Sequence, residues 1–134
     1  MLVSTRGRYA LRFLIDIAEH QGEGEYITTR EISQRQEVSL KYAERLMASL
    51  ARGRFVDAVH GKNGGYRLVR RPEEYNVGEV LRAMNEELVP VECMTCEPNK
   101  CPRAGKCRTL PMWQRLGKVI HEFFDGVTLA DLMK

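Results

Sequence analysis

The chain has 134 residues, 43% of them apolar, and a net charge of +3, which suffices for one compact domain, or one domain with an appended helix, but not for two independent ones. No stretch approaches the roughly 18 apolar residues needed to cross a bilayer, and Met1 to Arg12 mixes arginines with apolar residues without a cleavage-site pattern, so the reading is a cytoplasmic protein with no membrane partner. The charge is uneven: residues 1–72 hold 13 Lys and Arg against 8 Asp and Glu, whereas residues 73–134 hold 8 against 10, which favours a polyanion as partner of the first part.

From Ser4 to about His20, Tyr9, Phe13, Leu14, Ile17 and Ala18 recur at helical spacing, with Ser4 or Thr5 as N-cap. Gln21-Gly22-Glu23-Gly24-Glu25 breaks this helix, and Tyr26-Ile27 is a brief extended link. Thr28 stands three residues before Glu31, the capping-box spacing, and opens a short helix through Ile32 that ends near Gln36. After a tight link, Ser39 caps a helix to about Arg52. Leu40, Ala43, Leu46, Met47 and Leu50 form its apolar face, and Lys41, Tyr42, Glu44, Arg45 and Ser49 the opposite one. Two short helices, the second polar and basic outside, match a helix-turn-helix that places its second helix in a DNA major groove.

Phe55 to His60 and Tyr66 to Val69 read as two short strands around the turn Gly61-Lys62-Asn63-Gly64-Gly65. A hairpin directly after a recognition helix gives the order of a winged helix-turn-helix. The glycines permit close approach to a nucleic-acid backbone, and His60, Lys62 and Arg67 can meet phosphates or a narrow minor groove. Arg71-Pro72 ends the hairpin, and Asn76 caps a helix through Val77, Val80, Leu81 and Met84. From about residue 109 to 124, Leu110, Trp113, Leu116, Gly117, Ile120 and Phe124 follow a three-four spacing that Met112, Val119 and Phe123 widen. A helix that apolar serves two surfaces, its own core and a second subunit. Thr128 caps a short terminal helix. The expected fold is mainly α with a small β-hairpin: a winged helix-turn-helix at 1–72, then a linker helix, a cysteine loop and a long C-terminal dimerisation helix at 73–134.

All four cysteines, Cys93, Cys96, Cys101 and Cys107, fall within this loop, at the spacing C-x2-C-x4-C-x5-C interrupted by Pro98, Pro102 and Gly105. In a reducing cytosol, clustered cysteines serve more often as metal ligands or redox groups than as structural disulfides. Thiolates bind zinc and iron-sulfur clusters, and Lys100, Arg103, Lys106 and Arg108 offset the charge of such a site. Only Cys93 and Cys96 form a tight pair, which departs from the two tight pairs usual in structural zinc sites. A thiol switch closing a disulfide is a third reading.

Over nearly its full length the chain resembles the IscR-like family of bacterial winged-helix transcription regulators. The resemblance is carried by Tyr9-Ala10-Leu11-Arg12, by Ser39 to Leu46, by Gly61 to Tyr66, and by the cysteine loop with the following Trp113. It implies a repressor of cluster-assembly, sulfur or redox genes rather than an enzyme: a homodimer on double-stranded DNA, reading a palindromic operator under control of an iron-sulfur cluster, 2Fe-2S or 4Fe-4S. It implies DNA contacts by Tyr42 and Glu44, with Ser39, Lys41 and Arg45 alongside; in the wing the contact residues are His60, Lys62 and Gly64, but His60 stands where the family commonly has an arginine, so minor-groove contact there falls to Lys62 or weakens. Of three family cysteines the last two match Cys101 and Cys107 and the first best matches Cys93, so that Cys96 is an extra or replaces Cys93. The chain departs from the family where other ligands stand: Leu110 replaces a histidine, and Arg8 occupies the position of an acidic residue. Cys96 as fourth ligand, in an all-cysteine site, is the simplest repair. A zinc-stabilised or thiol-switched repressor, or a redox protein using the fold for protein contacts, are the alternatives.

Overall fold

A computed structural model describes residues 2–96 and 98–134. Each of the first four α-helices begins where a short polar side chain takes up an orphan backbone N–H. In α1 (Thr5–His20) the Ser4 hydroxyl accepts from the Gly7 N–H, and in α2 (Thr29–Gln36) Thr28 and Glu31 close a reciprocal capping box. Ser39 accepts from the Tyr42 N–H at the start of α3 (Leu40–Arg52), and Asn76 from the Glu79 N–H at the start of α4 (Val77–Ala83). One such cap contributes about 1 kcal/mol, which matters most for helices as short as α2 and α4. The link between α2 and α3 turns at Glu37, whose φ of 56° is left-handed.

After α3 come β1 (Val56–Val59) and β2 (Gly65–Leu68), antiparallel, with Val56 opposite Leu68 and Val59 opposite Gly65. The Tyr26-Ile27 link does more than the sequence indicates. Ile27 and Tyr66 exchange both backbone hydrogen bonds at 2.8 Å, adding a third extended segment beside β2 near the turn end of the hairpin. Gly65 allows this approach, since a Cβ there would stand 2.5 Å from the Ile27 carbonyl oxygen.

The main core lies around α1. Phe13, Leu14 and Ile17 meet Ile32 of α2, Met47 and Leu50 of α3, and Phe55, Val56 and Leu68 of the hairpin. Tyr75, Val80 and Met84 belong to the same core, as does Leu129 of the terminal α6 (Leu129–Leu132), so packing runs across the 72/73 boundary of roles. The buried Tyr75 hydroxyl donates to the Phe55 carbonyl at 2.5 Å and accepts from the Val69 and Arg70 N–H groups, fixing the foot of the wing. Asp16, also buried, accepts two-pronged hydrogen bonds from Arg35 and a third from Gln36, bolting α2 to α1. The Asp16 hydrogen bond holds the Arg35 guanidinium above its ordinary pKa, against the opposing effect of desolvation.

Helix α5 (Leu110–Asp125) covers a second, smaller cluster of Val77, Leu81 and Leu88 with Ile120 and Phe124. Its other face is uncovered: Met112, Leu116, Val119 and Phe123, spaced four, three and four residues apart, are 41–65% exposed. The helix is thus apolar on two faces, of which the structure covers one. Among the described residues no helix is long and apolar enough to cross a membrane.

Candidate nucleic-acid interface and cysteine loop

Helix α3 presents Lys41, Glu44 and Arg45 to solvent, with Ser39 exposed at its N-terminus. Among the described residues none of these three charges takes part in an ion pair, so the Glu44 carboxylate is not tied to Lys41 or Arg45 on its own helix. A free carboxylate on such a face accepts from a cytosine amino group and repels phosphate. Tyr42 is a correction to the polar face assigned from the sequence. It lies one turn before Leu46, at the flank of the apolar stripe, and its ring packs edge-on to Tyr9 at 6.0 Å between centroids. The hydroxyl is thereby buried, with no hydrogen-bond partner among the described residues, and burial raises the phenol pKa.

The wing places His60 and Lys62 in solvent at its tip, where Gly61 turns the chain with φ 111°. Gly64 is half-buried beside the Val59 carbonyl, which leaves no room for a Cβ. Between the tip and the start of α2 lies a groove of about 310 Å³ lined by Thr28, Thr29, His60 and Lys62, polar groups able to meet a phosphate. Arg67, by contrast, points away from such a role. It stacks on Tyr26 at 4.6 Å, pairs with Asp57 at 3.6 Å and donates to the Gly24 carbonyl, holding the hairpin to the α1–α2 loop.

Sequence reasoning missed a second groove, of about 450 Å³, between the first turn of α1 and the later part of α3, lined by Arg6, Tyr42, Arg45, Ser49 and Arg52. The repeat of Arg45, Ser49 and Arg52 at helical spacing was a signal for part of it. Nothing local to the sequence indicates Arg6, which arrives from 43 residues away to meet Ser49.

The cysteine loop is irregular. A single 3-10 turn, Glu92–Met94, carries Cys93; Cys96 follows, and position 97 lies outside the described residues. Cys93 and Cys96 are exposed, Cys101 and Cys107 half-buried, and all four are free thiols. Among the described residues no three cysteine, histidine or acidic side chains stand in an arrangement that could hold a metal ion. The donor set nevertheless fits a thiolate-bound group in its chemistry: four free thiols on one loop, within reach of solvent. The Thr109 hydroxyl lies 3.3 Å from the Cys107 sulfur, and its hydrogen bond, followed by those of the Thr109 and Leu110 N–H groups, lowers that thiol's pKa. Arg103, Lys106 and Arg108 surround Cys107. Leu110, where a histidine ligand was to be compared, is buried at the start of α5, and Arg8 is exposed and hydrogen-bonded to Thr5.

The loop is seated at both ends. Leu88 and Leu110 are buried, and the Met94 methyl fits a notch at Gly117 of α5, where a Cβ would come within 3.0 Å of it. Before the loop, the Glu86 carboxylate accepts from the Ser4 N–H at 3.1 Å and meets the Ser4 hydroxyl, joining the approach to the cysteines to the start of α1.

Comparison with known proteins agrees with this architecture. Residues 3–134 match the Rrf2 family, described as an iron-dependent transcriptional regulator. The chain is 38% identical over 134 residues to protein rrf2 of Nitratidesulfovibrio vulgaris, covering all of this chain and 88% of that one. It is 37% identical over 133 residues to the transcriptional regulator IscR of Aliivibrio salmonicida, covering 99% and 77%. Among solved structures, CymR, the global cysteine regulator of B. subtilis, superposes with a TM-score of 0.79 at 28% identity, covering 99% and 96%. IscR of T. potens does so with 0.76 at 32%, covering 99% and 86%.

Proposed function

The chain belongs to the Rrf2 family of transcriptional regulators and is IscR-like, and from that premise we propose a cytoplasmic, homodimeric repressor whose operator affinity is set by an iron-sulfur cluster. The observation that carries the DNA part is the unpaired Lys41, Glu44 and Arg45 surface of α3 beside a wing tip bearing His60 and Lys62. With Ser39 and Gly64 at its edges, this surface would give a helix to the major groove and a wing to the adjoining minor groove. Tyr42 takes part through the groove it lines rather than through the outer face.

For the dimer, the uncovered stripe of Met112, Leu116, Val119 and Phe123 supports a second copy of α5 as partner, because its four-three-four spacing is that of a helix pair. Two such modules related by a twofold axis read the two halves of a palindrome.

Cys93, Cys96, Cys101 and Cys107 would hold the cluster, which would supply strong thiolate cross-links and sensitivity to oxidants. The chain's own part is to transmit loop closure. Met94 presses on Gly117 of α5, and the stretch ending at Cys93 is tied through Glu86 to the first turn of α1. Drawing the four sulfurs together therefore moves segments that touch both the dimer helix and the DNA-binding module. By linkage, loop closure and DNA binding change each other's equilibrium by the same factor.

Iron, zinc and acid-labile sulfide per chain, measured after anaerobic purification, together with operator binding of the loaded and stripped protein, test the proposal. Two irons with two sulfides, or four with four, and a shift in affinity between the two forms are the expected results. Zinc without sulfide would replace the cluster by a structural metal, and equal affinities would remove the control.

A further inference from the structure

The groove between α1 and α3 combines three features not needed by a merely solvated surface. First, the Ser49 hydroxyl accepts from the Arg6 guanidinium at 3.0 Å and from the Arg52 guanidinium at 2.9 Å, while donating to the Arg45 carbonyl at 3.2 Å, so one oxygen holds two like charges side by side. Second, no carboxylate lines the groove, and among the described residues none of Arg6, Arg45 and Arg52 has an acidic partner within 4.0 Å. Within residues 1–72, Arg35, Arg67, Arg70 and Arg71 do find one, in Asp16, Asp57, Glu79 and Glu74, and the other arginines without one, Arg8, Arg12, Arg30 and Arg54, do not line this groove. Third, Tyr42, whose buried hydroxyl has no partner among the described residues, lines the same groove.

Guanidinium groups converging without a counter-charge, against a wall formed by the Tyr42 ring, match the needs of a tetrahedral oxyanion, which accepts several charge-assisted hydrogen bonds at once. We infer that the groove formed by Arg6, Tyr42, Arg45, Ser49 and Arg52 is a phosphate-binding site, its oxyanion supplied by the DNA backbone or by a free phosphate group. The inference rests on the DNA-binding reading only for the first source. Arg45 reaches both the outer face of α3 and the groove, so a helix seated in the major groove brings the bordering phosphodiester to Arg6 and Arg52. A contact of this type fixes position without reading sequence.

The test measures fluorescence anisotropy of operator and scrambled duplexes across a salt series for the wild type, Arg6→Gln, Arg52→Gln and Ser49→Ala, each checked for folding by circular dichroism. Alongside, NMR follows the arginine Nε–H signals as inorganic phosphate is added. If the backbone supplies the oxyanion, each arginine variant weakens both duplexes by the same factor of about ten and lowers the salt slope by about one, and Ser49→Ala acts in the same direction. If a free phosphate supplies it, duplex binding stays unchanged, but inorganic phosphate shifts the signals of the wild type and not of the arginine variants. Unchanged duplex binding together with no phosphate-dependent shift overturns the site. Should the wild type bind neither duplex, the DNA-binding reading falls on its own, and the phosphate titration decides the groove by the same two outcomes.

Discussion

The winged module and the cysteine loop are built by opposite rules. In the module, helices capped by Ser4, Thr28, Ser39 and Asn76 close on a shared core whose polar members, Asp16 and Tyr75, are fully hydrogen-bonded. In the loop, one short 3-10 turn and a few local hydrogen bonds, such as Asn99 to the Cys101 N–H, stand against four free thiols and little buried apolar surface. The first is determined by water leaving apolar side chains. The second has too little to bury to be determined that way, and its ordering is left to whatever draws the sulfurs together. The proposed sensor would gain from this division, because the reading head stays constant while the loop changes.

The contrast is broken most severely from the module's side. Phe13→Ala removes a fully buried ring from the centre of the main core and is expected to destabilise the protein by about 3–5 kcal/mol, read as a lower denaturant midpoint. Asp16→Ala strands Arg35 and Gln36; since Arg35 is about one-third exposed, water recovers part of the loss and the expected cost is about 2–3 kcal/mol, again from denaturant unfolding. Thr128→Ala opens the capping box of α6 at about 1 kcal/mol. This last effect carries a pH signature. The Thr128 N–H, then its hydroxyl, lowers the Asp131 pKa below its ordinary value, so the carboxylate's share of the cap is present above the usual carboxylate pKa and fades as acid titrates through the lowered one. Because Thr128→Ala keeps the N–H, the larger cause, most of this fading is shared by both proteins, and only the hydroxyl's smaller part narrows the difference between them in acid.

The smallest effect on stability is the sharpest test of the loop. Cys107→Ala and Cys96→Ala change the unfolding free energy of the metal-free protein by less than about 0.5 kcal/mol, because neither sulfur supports the core. Both are expected to abolish cluster incorporation equally, scored by iron and sulfide per chain. A Cys96→Ala protein that still loads a full cluster would reduce the ligand set to three cysteines.

What could be foreseen from the sequence follows the range of the interactions. The caps at Ser4, Thr28, Ser39, Asn76 and Thr128 are contacts over three residues, and each stands where the sequence places it. The hairpin and the two-faced α5 were legible from periodicity. The Ile27–Tyr66 pairing, the Asp16–Arg35 bolt and the meeting of Arg6 with Ser49 join residues 39, 19 and 43 apart, and no local pattern encodes them. Tyr42 was misplaced because a tyrosine at the edge of an apolar stripe suits either face, and only the presence of Tyr9 decides it. The cysteines could be listed from the sequence as donors but not assembled, since loop geometry without a core has no periodic signature.

The clamp of Ile27 on Tyr66 has a consequence for how regulators on this scaffold diverge. With β2 held near its turn end and Gly61 and Gly64 committed by backbone conformation and by crowding, the tip side chains left exposed and without structural duty among the described residues are His60, Lys62 and Asn63. Mutation at these three positions is nearly silent for folding and, on the proposed reading of the wing, changes only its contact with DNA. A duplicated gene can thus explore new operators there, three side chains at a time, while inheriting the rest of the machine unaltered.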